Sequence, residues 1–147
     1  MGGEDRPIHI SNFVLAESVL VLCWLMKFVF EEADPQPTVL RLTVGFDNLK
    51  RSSGLPTLST TPEGRMLFPG SAKPAPAEAV EVFQLAETAN YDPEHLAFLL
   101  IADIFHWFGF DSMSVPYVDP SGPRPRLKST AIIGSPLPDT VPMQDSY

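Results

Sequence analysis

The chain has 147 residues, 44% of them apolar and 19% charged, which suffices for one domain with its own core and excludes disorder throughout. Its formal charge is −8, and all of it falls on residues 1–111, where 15 acids face 7 bases. An acidic body repels phosphates, so direct nucleic-acid binding is disfavoured, and a basic protein partner or plain solubility fits the charge better.

In chain order, Ser11 and Asn12 are capping residues ahead of a long apolar stretch, and together they predict a helix over Phe13 to Phe30. Glu17, Trp24, Lys27 and Glu31 fall near one stripe of that helix. The remaining faces are apolar, so it is expected to be covered on most sides. Its longest uninterrupted apolar run, Val19 to Met26, is far short of the ~20 residues of a spanning helix. Each of Glu17 and Lys27 would cost ~2.5–3.5 kcal/mol near a bilayer centre, so no membrane role is expected. There is also no basic region or cleavage site typical of a secretory signal. Cys23, the only cysteine, sits inside this stretch and reads as a small buried hydrophobe. A single thiol permits no internal disulfide, which favours a reducing, cytoplasmic setting.

Asp34, Pro35 and Pro37 stop the helix. Thr38 to Asp47 then alternates with period two: Val39, Arg41, Thr43 and Gly45 lie on one side, Leu40, Leu42, Val44 and Phe46 on the other, which predicts a half-buried strand. Residues 48–64 are polar and rich in Ser, Thr, Gly and Pro, and read as a loop or a loose hairpin connection. Arg65 to Phe68 reads as a short strand, and residues 71–76 as another loop. Val80 to Leu85 suits a third strand, although Ala77 to Glu87 also suits a short helix. Asp92-Pro93-Glu94 is a strong helix start, with an N-cap, a first-turn proline and an acid at the positive end of the helix dipole. That helix is expected to reach Phe108 and to end at Gly109.

The element order predicts an α/β (α+β) domain over residues 1–111, a small two-layer sheet of about three strands packed with two apolar helices. Residues 112–147 carry Asp119, Asp139 and Asp145 against Arg124, Arg126 and Lys128, so they are neutral. They are expected to form a proline-rich tail, extended or partly disordered, in which Val115 to Val118 and Ala131 to Ile133 could pack on the domain.

Residues able to do chemistry are scattered. His95 and His106 share a face of the second helix but stand about 16 Å apart along its axis, too far to share one metal ion. Asp103 and His106, three residues apart, could touch, yet two groups are not a zinc site, and no nucleophile stands in a G-x-S-x-G context. The glycines form no dinucleotide or P-loop fingerprint. The acid pairs Glu31-Glu32 and Asp92/Glu94 end and begin helices, and read as solvated or capping groups. Trp107, Phe108 and Phe110 could anchor a partner but read first as core. No catalytic residue, cofactor or metal is expected.

The segment Pro120-Ser121-Gly122-Pro123-Arg124-Pro125-Arg126, continuing to Lys128, carries the one motif with a recognition mechanism. Pro120 and Pro123 have P-x-x-P spacing, and Arg124, Arg126 and Lys128 supply the flanking charge that orients such a ligand in an aromatic groove. A plain proline-rich linker explains the same residues.

The first helix with Val39-Leu40-Arg41-Leu42-Thr43-Val44 and Asn48-Leu49-Lys50, together with the helix end Asp103-Ile104-Phe105-His106-Trp107-Phe108-Gly109-Phe110, resembles a bacterial accessory module. That module lies downstream of Schlafen/AlbA_2-type domains assigned to DNA binding. The resemblance covers about residues 12–110, rests on hydrophobic pattern, and transfers no functional residue. It implies an accessory, partner-binding role in a larger bacterial system. The leading expectation is therefore a non-enzymatic protein-binding or adaptor domain. The alternatives are a small enzyme with a site near Asp103 and His106, and a nucleic-acid-associated accessory protein. The oligomeric state stays open.

Overall fold

The computed structural model describes residues 9–47, 49, 55–60 and 72–133. The chain is an α+β protein in which two long helices, α1 (Asn12–Glu31) and α2 (Pro93–Trp107), pack together and against a two-stranded ribbon of β2 (Val39–Phe46) and β5 (Val80–Glu87). Short strands β1 (His9–Ile10), β3 (Thr57–Ser59) and β4 (Ala72–Pro74) form a second sheet in the order β1-β3-β4. A small hairpin of β6 (Val118–Asp119) and β7 (Arg126–Leu127) leads to the one-turn helix α3 (Ser129–Ile132).

The helix ends follow the local chemistry of the sequence. The Ser11 hydroxyl accepts from the Val14 N–H at 3.2 Å and starts α1. The Asp92 carboxylate accepts from the His95 N–H at 3.3 Å, with Pro93 in the first turn of α2. At the far end of α2, Gly109 takes φ +95°, which frees the Gly109 N–H to donate to the His106 carbonyl and the Phe110 N–H to donate to that of Phe105. The rings of Phe105 and Phe110 then meet at 5.8 Å.

Strands β2 and β5 pair antiparallel over their whole length, from Val39 opposite Glu87 to Phe46 opposite Val80. Leu42, Val80 and Val82 face the helices, while Val39, Arg41, Thr43 and Gly45 are exposed, as the alternation requires. The segment around Val80 is thus a strand and not a helix. Strand β3 falls inside the segment that reads as a loop or loose hairpin connection, and β4 inside one that reads as loop. Each is three residues long, and each exists because a neighbour pairs with it: β3 runs parallel to β1 and antiparallel to β4. The strand expected at Arg65 to Phe68 lies outside the described residues.

A buried polar bridge ties the two ends of the fold together. Asn12, at the start of α1 and almost fully buried, donates to the Ser59 carbonyl at 2.9 Å and accepts from the Tyr117 hydroxyl at 3.0 Å. Tyr117 holds a positive φ of 65°, a conformation that L-residues with side chains seldom adopt, and its ring also packs edge-on against Phe13. Residues 112–133 are docked as well as extended: Val115, Leu127 and Ile132 belong to the same apolar core as α1 and α2.

Candidate functional site

The proline–arginine segment is placed by the β6–β7 hairpin against the N-terminal turn of α2. Asp92 uses one carboxylate oxygen to cap α2, and its other oxygen accepts from Arg124 at 3.0 Å and from Arg126 at 2.9 Å. Arg126 also donates to Glu94, and that bond raises the guanidinium above its ordinary value. The Ser129 hydroxyl donates to the second oxygen of Glu94. His95 Nδ1 lies 2.8 Å from the Pro125 carbonyl. A carbonyl can only accept, so Nδ1 carries the proton and donates.

Of the five residues singled out in this segment, Arg124 and Arg126 are therefore engaged by the chain's own acids. Pro120, Pro123 and Lys128 are exposed, the prolines in the connection between β6 and β7. Asp119, at the start of that connection, accepts from both the N–H and the hydroxyl of Ser121, and this holds its carboxyl below the usual range.

A cleft of about 310 Å³ opens beside this clamp, walled by Leu85, Leu96 and Leu99 and rimmed by Tyr91, His95 and Arg124. Its lining contains neither serine nor cysteine. The Tyr91 hydroxyl donates to the Cys23 carbonyl at 2.5 Å, and burial pushes its pKa upward, so it stays a phenol. Asp103 accepts from Gln84 at 2.7 Å, whereas His106 is exposed; the two do not bond to one another. Among the described residues no three His, Cys, Asp or Glu side chains gather in a way that could hold a metal ion. Cys23 is fully buried, and desolvation pushes its thiol up to about 12. Phe108 and Phe110 are core residues, but Trp107 is 40% exposed.

The other candidate surface lies on α1 and was not foreseen. Among the described residues the helix is buried along one side, by way of Leu15, Ala16, Val19, Leu20, Cys23 and Phe30. Val14 (54% exposed), Val21 (46%), Leu25 (53%), Phe28 (37%) and Val29 (51%) face outward. The expectation that the apolar faces of this helix are mostly covered is corrected on this point. Beside the stripe, Val14 and Ser18 join Ile10, Val44 and Phe46 in lining an apolar groove of about 300 Å³ between α1 and β2. On the outer face of the ribbon Phe83 and Leu85 are also exposed, with the Arg41 guanidinium 4.0 Å above the Phe83 ring. By length and hydropathy α1 also meets the composition of a membrane-crossing helix, with one third of its most apolar window buried in the fold.

The signal for this surface is present in the sequence only as an excess: α1 has more apolar positions than one packed face can use. Periodicity could not say which of them would be left over. Comparison of the chain with protein-family models, with curated proteins and with solved structures finds no match.

Proposed function

We propose that this chain is a non-enzymatic protein-binding domain of the accessory or adaptor kind, and that its docking surface is the outer face of α1. The observation that carries this reading is the row of large apolar side chains left exposed along that helix. Contiguous apolar surface of this sort is costly to leave in water, and in soluble domains it marks a place where another molecule sits. The acidic surroundings favour a neutral or basic partner. The resemblance to a bacterial accessory module points the same way. The tail contributes less than its motif suggests, because two of its three cations already neutralise Asp92 and Glu94.

Co-purification with tagged chains tests this assignment. Replacing Val21 and Leu25 together by Gln is expected to lose specific partners that an Arg124→Ala, Arg126→Ala variant retains. Identical recoveries from the wild type and the α1 variant would sink the reading.

A further inference from the structure

We propose that the free edge of β5 is a binding surface in its own right, separate from the face on α1, and that it takes an extended peptide in which two basic residues flank an apolar centre. The ribbon has two strands, so β5 is paired by β2 on one side alone. The Thr88 N–H donates to the Thr38 carbonyl at 3.0 Å, one step beyond the pair of Val39 and Glu87. Antiparallel bonding alternates from there, so Val82, Gln84 and Ala86 turn their N–H and C=O groups to β2. Those of Glu81, Phe83, Leu85 and Glu87 point the other way, and among the described residues nothing bonds to them. A row of donors and acceptors at every second residue is matched by another extended backbone. Nor does β5 carry the usual guards of an edge, for it has no proline, lysine or bulge.

The side chains along the edge set the chemistry of the partner. Glu81, Phe83, Leu85 and Glu87 lie on the outer face of the ribbon, and all four are exposed. Across the ribbon Glu81 faces Gly45 and Glu87 faces Val39, so neither carboxylate has a cation opposite it. The guanidinium of Arg41 already lies over the Phe83 ring. A strand laid beside β5 therefore gains most with a base next to each glutamate and apolar residues next to Phe83 and Leu85. Its intervening side chains point toward α2. There the cleft of about 310 Å³, lined from Leu85 and Ala86 of β5 to Leu96 and Leu99 of α2, receives an apolar one. The charge of −8 favours the same basic partner. A second copy fits less well, because β5 laid fully along its own two-fold mate sets Glu81 against Glu87 twice.

The test uses the full chain and an end-blocked peptide, KLVTVLK, whose first, third, fifth and seventh side chains share one face of a strand. The peptide reads the same in both directions, so parallel and antiparallel pairing present the same groups. It is expected to slow amide hydrogen exchange at Phe83 and Leu85 and to leave Arg41 and Thr43, on the far edge of β2, unchanged. The charge-reversed peptide ELVTVLE should bind at least about tenfold more weakly. Glu81→Lys with Glu87→Lys, both at exposed positions, should invert that preference. The Val21→Gln, Leu25→Gln variant should bind KLVTVLK as the wild type does. No protection at Phe83 and Leu85 at ~1 mM peptide, or equal binding of the two peptides, overturns the proposal. Protection at Arg41 and Thr43 instead, or loss of binding in the α1 variant, places the peptide elsewhere and overturns it too. So does protection of Phe83 and Leu85 without peptide in a chain that sediments as a dimer, for a second copy then holds the edge.

Discussion

Helices α1 and α2 have nearly the same apolar content and opposite fates. Eight of the fifteen residues of α2 are buried, and they span more than half of its circumference, leaving out the side of His95, Leu99, Ala102 and His106. Only seven of the twenty residues of α1 are buried, all on one side. The difference comes from their neighbours. α2 is enclosed by α1, β5, the turn at Ser112–Ser114 and β7, whereas among the described residues α1 meets chiefly α2 and α3, with Ser59, Tyr91 and Tyr117 also touching it. A helix that is apolar all round is a core element when it is surrounded and a binding element when it is not.

Three measurements break or sharpen that contrast. Ile104→Ala removes a fully buried side chain from α2 and is expected to cost about 2–5 kcal/mol in urea unfolding. A loss below about 1 kcal/mol would mean that α2 is not the enclosed helix.

An intermediate effect is expected from the inner side of α1. The unfolded chain releases the Cys23 proton near pH 9.0, whereas the folded chain holds it to about 12. Between those values the unfolded state gains by ionising and the folded state does not, so stability should fall as the pH rises through that window. Tyr91, also shifted upward by burial, adds to the slope at the alkaline end. Cys23→Ala should flatten the fall between pH 9 and 10, and an unchanged slope would show that the inner face of α1 is wet.

The smallest effect belongs to the outer face. Leu25→Gln, in dilute solution where chains are apart, should change the unfolding free energy by no more than about 0.5 kcal/mol. A larger loss would show that Leu25 is already packed.

The helix boundaries and the long strand were readable because they depend on groups close together in the chain. The Ser11 and Asp92 caps, the turn at Gly109 and the alternation of Leu40, Leu42, Val44 and Phe46 each act within a few residues. The pairing of β3 with β1 and β4 was not readable, because a three-residue strand has too little pattern to stand out from a Ser- and Pro-rich loop. The segment from Pro120 to Lys128 stands out in the sequence by its residue types, but nothing local in it shows that Arg124 and Arg126 are held by Asp92 and Glu94.

Everything that Arg124 and Arg126 do depends on Asp92 and Glu94, which lie about thirty residues earlier. The same is true of Asn12, whose amide waits for Tyr117 from the other end of the domain. Local chemistry therefore set where α1 begins and ends and made it apolar on nearly every side. Which of those sides would meet water was a matter of how many elements came back to cover them. That depends on contacts between residues far apart in the chain, and no periodicity within one helix can encode it.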